Sequence, residues 1–312
     1  MGNCEPDVAV VVPILNEEKT ILPLLESFQK LSLFPKEIIL VDGGSTDRTI
    51  ERITRYLEGK KFPYDVQVVI LSRALPGRGR NVGIQKTSCP LIACTDAGGT
   101  VDPRWLEDLI TPLKGNPSCE MVIGNCRSHA RNFFGRCTFY VTIESPQRKS
   151  FIFLGGATIA FRRRLWEKVG GYPESLYPCE DKYFLRSVKR RGFPVIFSEG
   201  AIVYWESRSS LRAFARQYFL YGRGDGEGDF VRHRYFLRAL FYGAILVFGI
   251  QGQRQMAAAL LAGYLGLLSL KGFMTLKDLR VFIYVPVLFL TKDLSQLFGY
   301  VVGSFRSGHE TD

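Results

Sequence analysis

The seven cysteines, Cys4, Cys89, Cys94, Cys119, Cys126, Cys137 and Cys179, form no CxxC pair and no Cys/His ligand spacing. That scatter excludes a disulfide framework and a cysteine-based metal knuckle, and it fits reduced thiols in a cytosolic compartment. The start, Met1 to Asp7, is polar and acidic, so no secretory signal is expected. No GxGxxG follows the first apolar strand. The glycine-rich Gly77-Arg78-Gly79-Arg80-Asn81-Val82-Gly83 comes only after the third, which argues against a dinucleotide-dependent dehydrogenase. Acids are the minority charge, 30 against 41 Lys and Arg, for a net charge of +11. An excess of that size suits an anionic partner: nucleic acid, nucleotide phosphates or anionic lipid.

At 312 residues and 46% hydrophobic, the chain can bury the core of one large domain or two smaller ones. Its apolar residues are unevenly spread. Ala239–Ile250 and Met256–Leu270 are nearly uncharged and are bridged by the polar Gln251-Gly252-Gln253-Arg254-Gln255, which reads as a tight hairpin. Each run is short for a span of about 20 residues, but the first reaches that length when extended through Phe236 with Arg238 snorkelling at its flank. A third run, Val281–Gly303, contains Lys292 and Asp293 and reads as a span, a re-entrant piece or an interfacial helix. The expected division is therefore residues 1–230 as a catalytic domain and 231–306 as a hydrophobic membrane region.

Within the first part, strands and helices alternate. Val8–Val12 is a β-branched run ended by Pro13, and Ile21, Leu24, Leu25, Phe28 and Leu31 follow at helical spacing. Glu37–Val41 is a second strand, followed by a helix that Ser45 or Thr46 would cap. Val66–Leu71 is a third strand. Arg73–Asn81 reads as a basic glycine-rich loop, with a helix from Val82. Leu91–Thr95 is the fourth strand and ends at Asp96-Ala97-Gly98-Gly99. Strands that end in polar residues and alternate with helices imply a Rossmann-like α/β sheet with helices on both faces.

Four features at strand ends carry chemistry. Asp42 is placed either as a turn aspartate or to accept from a base or ribose hydroxyl. Arg78 and Arg80 offer guanidinium forks that match phosphate oxygens. Asp96 is a hard oxygen ligand suited to Mg2+ or Mn2+ bridging a diphosphate. Glu180-Asp181 opens a helix, where a carboxylate is either a cap or a general base for an acceptor hydroxyl. The basic runs Arg162-Arg163-Arg164 and Lys189-Arg190-Arg191 read as solvated faces. From Ser209 the chain is basic, aromatic and helical up to the glycines at 222–224. There Arg216 and Arg223 either stabilise a leaving diphosphate or remain solvated.

One set of segments, in this order and spacing, resembles the family 2 glycosyltransferases of GT-A fold over roughly the first 230 residues. The segments are Val10-Val11-Val12-Pro13-Ile14-Leu15-Asn16-Glu17-Glu18, Val41-Asp42-Gly43-Gly44-Ser45-Thr46-Asp47, Gly79-Arg80-Asn81-Val82-Gly83, Thr95-Asp96-Ala97-Gly98, Gly155-Gly156-Ala157 and Glu180-Asp181. The resemblance implies a nucleotide-sugar donor, a divalent cation (Mg2+ or Mn2+) and inversion at the anomeric carbon. It implies that Pro13, Asn16, Glu17 and Asp42 hold the nucleoside and that Arg80 and Asn81 lie near the base and diphosphate. It places Asp96 in the metal signature, Asp181 as base beside Glu180, and Gly155 and Gly156 on the acceptor side. The basic-aromatic stretch with Arg216 and Arg223 matches one that follows the base in membrane members of the family.

One departure stands out: the Asp-x-Asp signature has Gly98 in its third position, so Asp96 is its sole carboxylate. Asp102 and His233 are further ligand candidates. The expected function is transfer of a sugar to a hydroxyl on a lipid-linked or polysaccharide acceptor at the cytosolic face of a membrane. The alternative is a nucleotide-binding membrane protein without transfer activity. Nucleic acid is not an expected partner, because the glycosyltransferase motifs account for the basic segments.

Overall fold

Alternation along strand β1 (Val8–Ile14) sets the architecture. Val8, Val10 and Val12 enter one hydrophobic core while Ala9 and Val11 enter another, because successive strand side chains point to opposite faces. The computed structural model describes residues 7–130, 132–144, 157–228 and 231–306. They form two compact units, Met1–His129 with Ser150–Glu206, and Ala130–Lys149 with Ser207–Asp312.

The first unit holds one eight-stranded mixed sheet. After β1 come α1 (Ile21–Phe28), β2 (Glu37–Asp42), α2 (Thr49–Leu57), β3 (Asp65–Ile70), α3 (Pro76–Lys86), β4 (Leu91–Thr95), β5 (Gly99–Val101), α4 (Trp105–Gly115) and β6 (Met121–Ser128). Beyond the described part of the second unit follow β7 (Thr158–Arg162), α6 (Arg163–Val169), α7 (Glu180–Arg190) and β8 (Val195–Trp205). The strand order is β3-β2-β1-β4-β7-β6-β8-β5. The pairs β3-β2, β2-β1 and β1-β4 are parallel, and β7 then runs antiparallel to both β4 and β6. The expected Rossmann-like sheet with helices on both faces is therefore present. Leaving β1, the chain builds β2 and β3 on one side and β4 on the other. The crevice at the carboxyl ends of β1 and β4 is thus a topological switch point, where ligands bind in open α/β sheets.

Local expectations differ from the structure in four places. The first is residues Arg73–Asn81, where helix α3 starts at Pro76, whose fixed φ suits a first helical position. Its glycines serve packing. A Cβ at Gly83 would sit 2.4 Å from Val11 Cγ1, and one at Gly77 would sit 2.2 Å from the Pro173 carbonyl oxygen. Second, β3, expected over Val66–Leu71, covers Asp65–Ile70 and is an edge strand with Ile70 and Val68 exposed. Third, Asp47, not Ser45 or Thr46, serves the start of α2, accepting from the Thr49 N–H at 3.0 Å and the Thr49 hydroxyl at 2.5 Å.

The fourth concerns the arginines of 162–164, of which only Arg164 is exposed as expected. Arg162 donates to the carbonyls of Leu113 and Cys119 at 2.6 and 3.0 Å. Arg163 donates to the carbonyls of Ile84, Thr87 and Cys89. Arg164 forms a 2.6 Å ion pair with Glu120. Helices leave their last carbonyls unpaired, and guanidinium groups near the ends of α3 and α4 satisfy them.

The second unit contains α5 (Phe133–Phe139), a π-helical turn (Tyr140–Glu144), α8 (Leu211–Glu227), α9 (Arg232–Ile250), α10 (Arg254–Leu276) and α11 (Val281–Arg306). Helix α8 runs on through Gly222, Gly224 and Gly226, because α11 packs against it there too closely for side chains. A Cβ at Gly222 would lie 2.2 Å from the Gln296 carbonyl oxygen, and one at Gly303 would lie 2.1 Å from that of Arg223. The second unit accordingly resumes at Ser207, and α8 belongs with the apolar helices. Helices α10 and α11 are each long and apolar enough to cross a membrane. The six described cysteines are buried free thiols.

Candidate active site

The carboxyl ends of β1, β2 and β4 bring the sequence-predicted residues to one edge. Ile14 pairs with Asp42, and Val11 pairs with Cys94, so Asp96 comes level with Pro13. Asn16, at a φ of 56°, locks the first two loops together. Its N–H donates to Ser45 Oγ at 2.8 Å, and its Oδ1 accepts from the Thr46 N–H at 2.9 Å. The Glu17 N–H donates to Thr49 Oγ1 at 2.8 Å, and the Glu17 carboxylate accepts from the Thr20 hydroxyl. Asp42 is 1% exposed and accepts from the N–H groups of Gly44 and Ser45, both at 2.9 Å, and from the Ser45 hydroxyl at 2.5 Å. Its turn role is therefore present in the geometry. An ionised carboxylate has about four acceptor positions, so one is left for a ligand.

Arg80 stands at the centre. It is 1% exposed, and its two terminal nitrogens donate to Asp96 Oδ1 at 2.6 Å and to Glu180 Oε1 at 2.7 Å. Its guanidinium lies over the Tyr172 ring, 5.3 Å from the centroid. Two carboxylates held by one cation link the end of β4 to the start of α7, 84 residues later in the chain (180 − 96). Buried acids survive only when paired and hydrogen-bonded in this way. The expected contact of Arg80 with a diphosphate gives way here to an internal role, because both terminal nitrogens are taken by carboxylates. Arg78, by contrast, is exposed on the first turn of α3.

Asn81 is likewise committed inside the protein. Its Nδ2 donates to the Tyr172 carbonyl at 2.8 Å and to Glu174 Oε1 at 2.9 Å. Its Oδ1 accepts from the Tyr172 N–H at 2.9 Å and from Trp166 Nε1 at 3.0 Å. Two donors and two acceptor lone pairs exhaust an amide. Asn81 therefore holds the Gly170–Glu174 loop, which leads into α7, rather than presenting free donors to a base. Trp166, Tyr172 and Glu174 are the site residues that sequence reasoning passed over. Their signal was Gly170-Gly171-Tyr172-Pro173-Glu174 ahead of the acidic pair, and their partner lies about 90 positions earlier.

The acidic pair divides its labour. Glu180 is buried in the Arg80 ion pair, whereas Asp181 is partly exposed and accepts from the Lys182 N–H at 2.7 Å. Both lie in the first turn of α7, where the helix dipole favours negative charge. Burial pushes the Glu180 carboxyl up from its ordinary value, with Arg80 opposing and the nearby Asp181 charge adding to the rise. Asp96 is also raised, by burial first, with Arg80 pulling it back and Asp181 pushing it further. Behind Asp96, burial pushes the Cys94 thiol up to about 12, which makes it an inert packing group.

For a divalent cation, Asp96 offers the carboxylate oxygen that Arg80 does not use, and its side chain is 30% exposed. Among the described residues no three His, Cys, Asp or Glu side chains cluster as a metal cage. Of the further ligand candidates, Asp102 accepts from the Tyr204 hydroxyl at 3.1 Å and from the Arg104 N–H at 3.0 Å. His233 lies in the second unit, on α9. This donor set fits a cation held mostly by substrate phosphates and water, as Mg2+ commonly is. Arg216 and Arg223 also lie in the second unit, where Arg216 is exposed and Arg223 pairs with Glu227 at 3.3 Å. Gly155 and Gly156 fall outside the described residues.

A Rossmann-like sheet thus gathers Asp42, Asp96 and a helix-borne acidic pair at its switch-point edge, the place where α/β enzymes of this kind bind ligands. The sequence model of glycosyl transferase family 2 matches residues 9–169, and the chain belongs to that family. It is a glycosyltransferase. The chain is 24% identical over 233 residues to glycosyltransferase AglE of Haloferax volcanii, covering 72% of this chain and 74% of that one. It is 26% identical over 246 residues to the succinoglycan biosynthesis protein ExoA of Rhizobium meliloti, covering 72% and 70%. In fold it is similar to the mannosyltransferase PcManGT from Pyrobaculum calidifontis in complex with GDP-Man and Mn2+, with a TM-score of 0.63, 18% identity and coverage of 93% and 88%. It is also similar to Staphylococcus aureus TarS 1–349 in complex with UDP-GlcNAc, with a TM-score of 0.53, 21% identity and coverage of 98% and 93%.

Proposed function

We propose that the protein transfers a sugar from a nucleotide-sugar donor to a hydroxyl of a lipid-linked or polysaccharide acceptor, with inversion, at the cytosolic face of a membrane. The observation that carries this reading is the Asp96–Arg80–Glu180 bridge, which keeps partly exposed Asp181 near the donor-side carboxylate. Asn16, Glu17 and Asp42 line the nucleoside end, with Pro13 beneath α3, its Cβ 3.3 Å from where a Cβ on Gly79 would be. Exposed Arg78 at the N-terminus of α3 faces the diphosphate. Arg80 and Asn81 act from behind as positioning residues. Asp181 accepts the proton of the acceptor hydroxyl as its oxygen bonds to the anomeric carbon. The bond from that carbon to the diphosphate breaks on the opposite face, and the nucleoside diphosphate leaves with the electron pair. A divalent cation, Mn2+ or Mg2+, would be held by Asp96 and would neutralise charge on the leaving diphosphate.

A panel of nucleotide sugars screened by thermal shift, with and without Mn2+, tests the donor class, and sugar release from the stabilising donor tests transfer. One donor should raise the melting temperature, more so with Mn2+, and should be turned over. Binding of a nucleotide without release of sugar from any donor would instead favour a non-catalytic nucleotide-binding protein, the reading that Gly98 in place of a second aspartate keeps in view.

The raised Asp96 carboxyl has a pH consequence. A group pushed above the usual carboxylate value of about 3.9 is protonated at a higher pH on the way down. Mn2+-dependent donor binding should therefore weaken on acidification above that value, while binding without the cation should change less. Calorimetric titration across about pH 4.5 to 8 reads both, and equal pH dependence with and without Mn2+ would remove Asp96 from the cation site.

A further inference from the structure

Helices α9 and α10 form a hairpin whose far half is largely exposed although it is apolar. Leu246, Ile250 and Leu260 face outward, and Ile250 is 77% exposed. The helices are 19 and 23 residues long, and between the basic root and the tip each leaves about 24 Å, enough for the ~30 Å hydrocarbon core of a bilayer when the flanking basic side chains snorkel; of the two, α10 is long and apolar enough by itself to cross. The hairpin's root carries Arg232, Arg234, Lys271, Lys277 and Arg280, whereas its tip is Gln251-Gly252-Gln253-Arg254. A polar tip left inside hydrocarbon would cost several kcal/mol per unsatisfied group, on the order of what confines irregular lipid-exposed backbone to the water side. The tip therefore belongs beyond the far headgroups, and the basic root fits anionic lipid phosphates on the near side.

Helix α11 behaves differently, although its length and composition, like those of α10, would allow a span. A span starting at the hairpin root would finish beside the tip. Val285 instead packs on Gly272, near the end of α10, and Asp293 accepts from the hydroxyls of Tyr264 and Tyr242 at 2.6 and 3.0 Å. Asp293 also pairs with Arg238 Nε at 3.2 Å, and Gln296 Oε1 accepts from Arg238 at 3.0 Å. Tyr300 then stacks on Tyr235 at 4.0 Å, back in the first turn of α9. Both ends of α11 thus lie at the root. Its last turns also interlock with α8, whose exposed Arg212 and Arg216 bar it from hydrocarbon. The outer face of α11 is one apolar stripe, Ile283, Val287, Leu294, Phe298, Val301 and Phe305, all exposed. The opposite face is covered by protein, through Val281, Val285, Leu288 and Phe289 and then Lys292, Asp293 and Gln296, so only the apolar stripe is left to meet lipid, as in a helix lying in the membrane plane.

We propose that the α9–α10 hairpin alone crosses the bilayer, that its basic root rests on anionic phosphate headgroups, and that α11 lies flat at that same surface. This rests on the membrane-associated reading of the protein and specifies which segments enter the lipid. The consequence is that α8, the start of α9 and the end of α11 share one side, with the hairpin tip alone on the other.

The full-length chain, in a Cys4→Ser background, tests this with single cysteines at Arg254→Cys or Gln253→Cys in the tip and at Ser304→Cys near the end of α11. Sealed membrane vesicles are treated with an impermeant maleimide before and after permeabilisation. The six described native cysteines are buried and should stay silent. The tip and Ser304 positions should label from opposite sides. Labelling from the same side would make α11 a span and overturn the proposal, and so would a tip reached from neither side of intact vesicles. Recovery of the chain in the soluble fraction, with no vesicle association, would overturn the membrane reading beneath it and is distinguishable from both.

Discussion

Asp181→Asn should lower kcat by about 10²–10⁴-fold, the usual worth of a positioned general base, while donor affinity stays near the wild-type value. The amide keeps an oxygen that can accept from the Lys182 N–H, so the first turn of α7 keeps its geometry. It cannot take a proton from the acceptor. The loss should therefore appear in kcat and not in the donor KM, as expected for an interaction used only in the transition state. Removing this charge also removes one cause of the upward shifts of Asp96 and Glu180, so both carboxyls should titrate at lower pH in the variant. Turnover at the wild-type rate would sink the assignment of the base. Glu180→Gln gives the contrast. Glu180 is tied to Arg80, so its loss should act through stability and positioning, with donor and acceptor parameters changing together.

Arg80→Ala should be the most destabilising single change at the site. Removing one partner of a buried ion pair costs about 3–5 kcal/mol, and Arg80 serves two carboxylates at once. For domains of this size that corresponds to a drop of about 6–20 °C in melting temperature. The loss should depend on pH. Without Arg80, Asp96 and Glu180 lose the charge that pulls their pKa values down, and the folded values rise further above the unfolded ones. An acid with a raised folded pKa carries no penalty below its unfolded pKa and a growing one as pH rises towards the folded pKa. The deficit should thus be smaller near pH 5, roughly one unit above the ordinary carboxylate value of about 4, than near pH 8. Melting curves of both proteins at the two pH values measure it, and an equal deficit would mean that Arg80 stabilises by packing alone. Arg80→Lys should fall between the two, because an ammonium lacks the planar fork that reaches both acids.

The Arg80 bridge marks the line between what was legible and what was not. Val8–Val12, Glu37–Val41 and Leu91–Thr95 were readable as strands because near-continuous apolar runs are what a sheet buried on both faces requires. Asp42 and Asp96 were readable as edge residues because each ends or follows such a run, and the Glu180-Asp181 pair was readable because it opens a helix. The roles within Gly77–Gly83 were not readable. A glycine-rich basic stretch looks like a phosphate loop, yet these glycines let α3 lie on Val11 and beside Pro173. Arg162 and Arg163 likewise read as solvated until the carbonyls of Leu113, Cys119, Ile84 and Thr87 were in view.

The sequence by itself determined the alternation of strands and helices, the acids that reach the carboxyl edge, and the apolar character of the last three helices. These follow from period and composition, which are local. Only the tertiary structure decided that Arg80 faces two acids, that Asn81 spends its whole amide on the loop before α7, and that α8 continues through its glycines. It also decided that α11 returns to the hairpin's root. Each of these depends on a partner tens of residues away. A side chain's charge or size says what kind of partner it needs, and the packing of the chain selects which one it meets.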